Sequence, residues 1–365
     1  MLWPILPLII ERLDLQLAMA GFLGTILSMC NLTQPFMGIW GDRMRRRNLI
    51  LGGALLAAIF VPLLGLASNY LTLAVFLALG GLGVAAFHPQ AFSLAGDLSA
   101  DRRAFGIALF TFGGTLGIVF SPLWIPLFVE SFGIRSLFFL SLPGVCAVLI
   151  VSLYVPLENA STARVSFHSL LQSIRRSASP LSLIAIVVVL RTITFVGFGF
   201  YITQLANDRG LSLVEGGMIL AIYNFAGVSG SLLAGYLANP RNSKAIVWIS
   251  IFMASPTLFA YLQTEGLVSY FWLTLGGLGI MASNSILVAL AQEVAPENAA
   301  FASSIPLGFS WGLAALSLPL VGFFADRFGL ANALQFLALL PILAAFFALF
   351  LPARRQIMKS KAHQA

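Results

Sequence analysis

The pentapeptide Leu79-Gly-Gly-Leu-Gly83 recurs letter for letter as Leu275-Gly-Gly-Leu-Gly279, 196 positions later in the chain. The same offset aligns the acidic residue Asp97 with Glu293. It also aligns three further pairs: Asp101 with Glu297, Phe105 with Phe301, and Phe132-Gly133 with Phe328-Gly329. In a strongly apolar chain, such a duplication predicts two helical bundles packed around a central substrate path. Transport is therefore the first hypothesis for this sequence.

The composition indicates that this chain is an integral membrane protein. Of 365 residues, 59% are hydrophobic and 9% are charged, against about 25% charged residues in ordinary soluble domains. Apolar stretches of roughly 20 residues alternate with short polar ones, and a helix of that length spans a bilayer core of about 30 Å. Eleven of the twelve stretches are long enough to span, and the first, with ten residues, is not. The predicted segments are Met1–Ile10, Leu17–Trp40, Leu49–Ala67, Leu71–Leu94, Phe105–Val129, Leu137–Val155, Leu181–Leu205, Leu213–Ala238, Ala245–Leu262, Val268–Leu290, Phe301–Phe324 and Ala333–Leu351.

The distribution of basic residues predicts the orientation of the helices. When the loops are assigned alternately to two sides, fifteen of the twenty Lys and Arg residues lie on one side and four on the other. The remaining one, Arg191, lies inside a predicted helix. Because cytoplasmic loops carry an excess of Lys and Arg, the fifteen face the cytoplasm and both termini are cytoplasmic. The net charge of +7 therefore reflects topology, and we expect no nucleic-acid partner.

The longest polar stretch, residues 156–180, separates the two halves. Its composition predicts a cytoplasmic linker with a short amphipathic helix. The sequence therefore predicts an N-terminal bundle of helices 1–6 over residues 1–155 and a C-terminal bundle of helices 7–12 over residues 181–351. A basic cytoplasmic tail follows over residues 352–365.

The repeat also bears on the short first segment. Helix seven begins near Leu181, and the twin of this residue at the same offset would precede Met1 by about fifteen residues. We therefore expect the first helix to lack its cytoplasmic half, where a coupling carboxylate could otherwise lie.

A basic motif follows the second apolar segment. Gly38 is followed by Asp42 and Arg43 in a Gly-x-x-x-Asp-Arg pattern, with Arg46 and Arg47 behind it. Glycine lets helices approach closely, and the arginines hold the loop at the cytoplasmic face. The pattern resembles the signature loop between helices two and three of the major facilitator superfamily. The resemblance implies that these charged residues form a cytoplasmic latch that stabilises the outward-open state. It also implies an all-α membrane protein with the major facilitator fold, in which twelve helices form two pseudo-symmetric six-helix bundles.

A finer resemblance extends over about 330 residues of the chain. Phe87-His88-Pro89 and the stretch Gly322-x-x-Ala-Asp326-Arg327-Phe-Gly329 are similar to the fosmidomycin-resistance branch of the superfamily. This branch implies a bacterial inner-membrane exporter that expels a small drug or metabolite in exchange for protons. In the second half, Asn239 and Pro240 replace the Asp and Arg of the latch, so we expect a weak latch there.

Arg191 is the charged residue that lies deepest in a predicted helix. It follows Leu181 by ten residues, which is roughly 15 Å along a helix and near the bilayer midplane. An intramembrane charge is costly and is a functional candidate by default. Thr194, Phe198 and Tyr201 fall on the same helix face. This stripe predicts a site for an anion or polar group that faces the substrate cavity. The alternative is an arginine that is satisfied by helix carbonyls.

His88 lies two-thirds of the way along the fourth segment and precedes Pro89, which frees backbone carbonyls nearby. An imidazole can exchange a proton near neutral pH, so His88 is a candidate for proton or substrate binding. The alternative is a histidine satisfied by helix packing. The offset aligns His88 with Asn284, and the resemblance implies that segments one, four, seven and ten line the path. Three further polar residues are candidates for the same cavity: Gln34, Asn224 and Tyr201.

The acidic residues provide no comparable candidate. All thirteen fall in loops or at predicted helix ends, whereas a proton antiporter commonly uses a buried carboxylate. Either His88 couples the proton, or the carboxylate lies in sequence that this chain lacks, or coupling is weak or absent.

The repeat predicts a transporter that works by alternating access, and the resemblance implies that it is a secondary active transporter that moves a small organic compound across the inner membrane as proton-coupled efflux. We expect a monomer in the lipid bilayer, without cofactor or metal. No metal-ligand cluster, nucleophile triad or phosphate loop in the sequence supports an enzyme. Two alternatives stay open. One is uptake or facilitated diffusion of an organic anion drawn to Arg191, and the other is a membrane sensor that has the same fold but does not transport.

Overall fold

The chain is helical almost throughout the part that the structure describes. The structure is a computed structural model, and the residues it describes are 1–34, 46–99, 103–156, 178–295, 302 and 305–352. No strand occurs within these ranges. Nine helices in them are long and apolar enough to cross a membrane, and Leu17–Met29 is apolar but shorter. Helices suit a bilayer because each satisfies its own backbone N–H and C=O groups.

The helices follow the predicted segments in chain order. They are α1 (Leu6–Leu13), α2 (Leu17–Met29), α3 (Arg46–Phe60), α4 (Tyr70–Leu98), α5 (Arg103–Phe132), α6 (Ser141–Ser152), α7 (Ala178–Asp208), α8 (Leu213–Leu237), α9 (Ser243–Gln263), α10 (Gly266–Val294), α11 (Ser310–Ala315), α12 (Leu318–Phe328) and α13 (Leu330–Ala348). Four 3₁₀ turns extend them: Trp3–Ile5, Cys30–Thr33, Pro62–Leu66 and Ile134–Leu140. The first helix is short, as its sequence predicts.

The eleventh predicted segment is not one continuous helix. A π-helical turn, Ile305–Phe309, leads into α11, and the helix is interrupted before α12 begins at Leu318. Pro319 lies in the first turn of α12, where its missing N–H would have no intrahelical partner. Since a helix continuing from α11 would need that N–H, the proline starts a new helix. Over the described residues, the single predicted segment is therefore two helices.

The chain divides into two compact units. The first comprises Met1–Ala163 and Ala206–Ala221, and the second comprises Arg164–Leu205 and Ile222–Ala365. Each unit has its own helix packing and is described by itself.

The predicted domain boundaries stay predictions. Most of the linker predicted over residues 156–180 lies outside the described residues, as does nearly all of the tail predicted over residues 352–365. The latch loop between α2 and α3 lies outside them too.

The glycines of the repeated pentapeptide make equivalent close contacts in each unit. A Cβ atom added at Gly81 of α4 would lie 3.0 Å from the carbonyl oxygen of Leu27 on α2. A Cβ atom added at Gly277 of α10 would lie 2.9 Å from the carbonyl oxygen of Tyr223 on α8. Leu27 and Tyr223 are themselves 196 positions apart. The sequence repeat is therefore also a repeat of packing, in which glycine lets two backbones approach closely.

The last glycine of each pentapeptide repeats a second contact. A Cβ atom at Gly83 would lie 2.6 Å from the carbonyl oxygen of Gly53 on α3, and one at Gly279 would lie 2.8 Å from that of Ser250 on α9. A real Cβ atom would force both helices apart. Within each unit, one long helix thus packs closely against two neighbouring helices at its glycines.

The repeated Phe-Gly pair ends a helix in both units. Gly133 follows α5 with φ 78° and ψ 158°, and Gly329 follows α12 with φ 87° and ψ 147°. A positive φ is strained for other residues and free of cost for glycine. The next helical element begins at the following residue in each case.

The core of the second unit surrounds α7. Buried apolar residues from α7, α9, α10 and α13 form one cluster, including Ile184, Val187, Val188, Ile251, Leu287, Leu290 and Ala345. Because α7 is enclosed by several helices, a charged residue near its middle is removed from lipid and from bulk water.

Candidate functional site

Arg191 lies near the middle of α7 and is completely buried. It follows Ala178 by thirteen residues, which is about 20 Å along the helix axis, and its side chain is 0% exposed. Its Nη2 donates to Asn284 Oδ1 at 3.1 Å. Its Nη1 lies 2.8 Å from Met281 Sδ and 3.4 Å from the Ile280 carbonyl oxygen. These three partners lie on α10, so the arginine joins α7 to α10.

These partners leave the guanidinium incompletely satisfied. The Nε–H of Arg191 has no acceptor among the described residues. A thioether is a weak acceptor, and 3.4 Å is long for an N–H···O bond. No carboxylate lies within 4.0 Å of Arg191 in the described ranges, where the ion pair is Arg46–Asp97. The charge is therefore faced by dipoles and not by a counter-charge.

Three aromatic rings cluster one helical turn beyond Arg191. Phe195, one turn beyond Arg191 on α7, stacks on Tyr223 of α8 with ring centroids 5.0 Å apart. Trp311 of α11 meets Phe195 edge-on at 5.8 Å. Tyr223 is fully buried, and its hydroxyl lies 3.5 Å from the carbonyl oxygen of Phe195. An aromatic cluster thus lies one turn of α7 beyond the cationic group.

Gly227 of α8 lies between Met281, which contacts Arg191, and the ring of Phe195. A Cβ atom at Gly227 would lie 3.1 Å from both Met281 Cγ and Phe195 Cε2. Those two side chains are therefore neighbours across a glycine. We call the Arg191 site the group formed by Arg191, Phe195, Tyr223, Met281, Asn284 and Trp311. The last three of these are half-buried, whereas Arg191, Phe195 and Tyr223 are buried.

The rest of the predicted stripe on α7 faces other helices. Thr194 Oγ1 donates to the carbonyl oxygen of Leu337 at 3.2 Å. The Tyr201 hydroxyl donates to the carbonyl oxygen of Leu318 at 2.8 Å. Both hydroxyl protons are therefore used in helix packing, whereas Arg191 contacts α10.

His88 lies on α4 in the first unit among phenylalanine rings. Its Nδ1 lies 3.0 Å from the carbonyl oxygen of Val84, one turn earlier on the same helix. Since a carbonyl can only accept, this geometry assigns the hydrogen of the neutral ring to Nδ1 and leaves Nε2 as a hydrogen-bond acceptor. The ring centroid of His88 lies 5.6 to 6.5 Å from those of Phe87, Phe92 and Phe110.

Arg46 and Arg47 begin α3 and tie it to two other helices of the first unit. Arg46 Nη1 pairs with Asp97 Oδ2 at 2.8 Å, and Arg46 Nε donates to the Gln90 carbonyl oxygen at 3.2 Å. Arg47 Nη2 donates to the carbonyl oxygen of Ser152, the last residue of α6, at 2.9 Å. The two arginines therefore join the adjacent ends of α3, α4 and α6.

The remaining predicted site residues are placed as follows. Three residues of the predicted latch lie outside the described residues: Gly38, Asp42 and Arg43. Gln34 is half-buried at the end of the first described stretch, and Asn224 is buried on α8. The structure thus brings Arg191 and Asn284 together, whereas His88 belongs to the other unit.

Sequence reasoning missed the aromatic and sulfur members of the Arg191 site. Tyr223, Trp311 and Met281 stand in apolar stretches where aromatic and methionine residues usually fill a core. One signal could have found two of them. Gly227 follows Tyr223 by one helical turn, and Gly277 precedes Met281 by one turn, so each glycine marks a close helix approach beside that side chain.

Long apolar helices in two units, with a buried arginine near the middle of one helix, define a multi-pass membrane protein with a polar site at membrane depth. Comparison with known proteins identifies its family. The family described as Major Facilitator Superfamily matches residues 1–305. The chain therefore belongs to the Major Facilitator Superfamily, a family of transporters and not of enzymes.

Two curated relatives and one solved structure show how far the likeness extends. The fosmidomycin resistance protein of Escherichia coli (strain K12) is 24% identical over 362 residues, which cover 96% of this chain and 88% of the relative. The multidrug resistance protein MdtG of Escherichia coli (strain 55989 / EAEC) is 24% identical over 277 residues, covering 72% and 68%. A crystal structure of a bacterial homologue of the human lysosomal transporter Spinster, inward-facing and unoccupied, superimposes with TM-score 0.78 at 18% identity, covering 98% of this chain and 93% of that one. The predicted fold class and the predicted resemblance are confirmed.

Proposed function

We propose that this protein is a secondary transporter that exports a small organic compound across a bacterial inner membrane by alternating access. The substrate binds at the Arg191 site, and protons drive export. The names of two relatives, a fosmidomycin resistance protein and a multidrug resistance protein, support efflux over uptake.

The observation that carries this proposal is the buried guanidinium of Arg191. An arginine at the centre of a membrane helix costs roughly 2.5–3.5 kcal/mol on insertion scales. Arg191 is 0% exposed, and Asn284, Met281 and a long carbonyl contact return only part of that cost. A residue kept in such a position serves binding better than packing, because leucine would pack there without the penalty.

His88 supports proton coupling. Nδ1 is held by the Val84 carbonyl oxygen, so Nε2 is the nitrogen that can gain and lose the proton during the cycle. Three phenylalanine rings lie around the imidazole with centroids 5.6 to 6.5 Å from its own, close enough for aromatic contact. This role does not require an acidic residue within a membrane helix.

The contacts of Arg46 and Arg47 support a latch at one end of the first unit. Arg47 reaches the backbone carbonyl that ends α6, and Arg46 reaches the Gln90 carbonyl oxygen within α4 and forms an ion pair with Asp97 near the end of that helix. If the latch loop engages this cluster, it would stabilise one conformation of the transport cycle over another. On the orientation predicted from the basic residues, this end and both termini are cytoplasmic.

Uptake of an organic anion is the second candidate, and the same arginine favours it. A buried cation without a carboxylate partner in the described ranges attracts an anion whichever way the cycle runs. The direction of net movement separates the two candidates.

The proposal is tested by flux measurements on the full chain in proteoliposomes, with and without a pH gradient. A screen of labelled organic compounds should find one that moves against its own concentration gradient while protons flow down theirs in the opposite direction. A protonophore should abolish that movement. Arg191→Gln should abolish flux, whereas Arg241→Gln, the same change at an exposed loop arginine, should not. Movement of the compound with the proton would identify uptake, and ligand binding without any flux would identify a sensor.

A further inference from the structure

We infer that the ligand of the Arg191 site is an organic monoanion with a flat aromatic body, and that the Met281 thioether occupies the anion's place when the site is empty. This inference rests on the proposed function, whose site it specifies.

The charge balance of the site points to a single negative charge. The described acidic residues of the second unit are Glu265, Glu293 and Asp326, and each lies at or beside a helix end. Arg191 lies near the middle of α7 and has no carboxylate within 4.0 Å in the described ranges. One anion would neutralise the guanidinium, whereas a dianion would replace one unbalanced buried charge with another.

The donors of Arg191 that are free or weakly engaged suit a carboxylate. Nε–H has no acceptor among the described residues, and Asn284 takes only one of the two hydrogens on Nη2. Nη1 is held by a thioether sulfur and by a carbonyl oxygen at 3.4 Å. A carboxylate accepts two parallel N–H bonds from a guanidinium and is a much stronger acceptor than sulfur. It would therefore displace Met281, whose unbranched side chain can move aside.

The aromatic rings of the Arg191 site indicate the shape of the uncharged part of the ligand. Phe195 and Tyr223 present a stacked pair, and Trp311 stands edge-on to Phe195. Gly227 keeps Met281 next to Phe195, so displacing the methionine opens space directly beside the rings. A flat aromatic group attached to the anion through a short linker would fill that space against the edge of Phe195 that Met281 now adjoins.

The test uses purified full-length protein in detergent and eight arylalkanoates, each paired with its uncharged amide. Binding is measured as a rise in unfolding temperature and as a dissociation constant from tryptophan fluorescence. At least one carboxylate should bind wild type and Arg241→Gln, its amide should not, and Arg191→Gln should bind it about tenfold to a hundredfold more weakly. The inference is overturned if none of the carboxylates binds, if amides bind as well as acids, or if Arg191→Gln retains the affinity.

A second variant keeps the inference testable if Arg191→Gln fails to fold. Met281→Leu conserves volume but removes the sulfur acceptor, which destabilises the empty site and not the occupied one. Carboxylate affinity should therefore rise about twofold to fivefold. Unchanged or weaker binding would show that Met281 does not occupy the anion's place in the empty site and would overturn the inference. Carboxylate binding that depends on Arg191, without flux in proteoliposomes, would support the inference while refuting the proposed transport function.

Discussion

Adjacent glycines on α3 provide a sharp test of the helix packing. A Cβ atom at Gly53 would lie 2.6 Å from the carbonyl oxygen of Gly83 and 2.9 Å from the backbone nitrogen of Phe87, whereas a Cβ atom at Gly52 would meet nothing within 4 Å. These two atoms belong to the backbone, which cannot rotate away, and a third neighbour, Ala86 Cβ, lies at 3.2 Å. Gly53→Ala must therefore move α3 away from α4, and overpacking of this kind costs about 1–3 kcal/mol.

The matched control is Gly52→Ala. Both substitutions gain helix propensity of up to about 1 kcal/mol, so this gain cancels when the two variants are compared. Thermal unfolding of the purified protein in a mild detergent should place Gly53→Ala roughly 2–10 °C below Gly52→Ala. Equal unfolding temperatures would refute the close approach of α3 and α4. The repeat extends the prediction to Gly279→Ala, because a Cβ atom there would lie 2.8 Å from the Ser250 carbonyl oxygen.

Three further predictions concern the proposed site and latch. Replacing Arg46 by Gln or Asp97 by Asn should each change the transport rate while lowering the free energy of unfolding by no more than about 1 kcal/mol, because the pair is partly exposed. If a double-mutant cycle on the flux rate shows no coupling between the two residues, the ion pair has no role in the latch. His88→Asn keeps a donor for the backbone but cannot titrate, so it should leave ligand binding intact and remove the response of flux to a pH gradient. A retained response would exclude His88 as the proton carrier. Gly227→Val should weaken binding of aromatic anions more than that of short aliphatic ones, measured as dissociation constants, because the added methyls would occupy the space beside Met281; equal losses for both classes would show that the rings do not contact the ligand.

The fold was predictable because its decisive signals are local. Apolar length identifies the membrane helices, and the repeated pentapeptide identifies equivalent packing positions. Gly81 and Gly277 contact carbonyl groups that are themselves 196 positions apart, so the sequence repeat corresponds to a repeat of helix packing. The interruption at Pro319 was less visible, because a proline in an apolar stretch is equally compatible with a kinked continuous helix.

The candidate site was predictable only in part. Arg191 was identifiable because a charge in an apolar stretch is rare, and Asn284 because the repeat aligned it with His88. Tyr223 and Trp311 were not, because an aromatic residue in a membrane helix carries no signal that separates a ligand wall from a core. Tertiary structure alone determines which rings pack against Phe195 beside the arginine.

Trans-stimulated exchange in proteoliposomes determines whether Arg191 binds the compound that is transported. Vesicles loaded with an unlabelled carboxylate that binds the purified protein would be placed in the labelled form, with no pH gradient, and initial exchange rates would be compared between wild type, Arg191→Gln and Arg241→Gln. We expect rapid exchange for wild type and Arg241→Gln, and for Arg191→Gln a fall of at least about tenfold at concentrations below saturation, equivalent to about 1.4 kcal/mol of binding free energy. Exchange by folded Arg191→Gln protein at the wild-type rate would contradict the assignment of Arg191 as the substrate-binding residue.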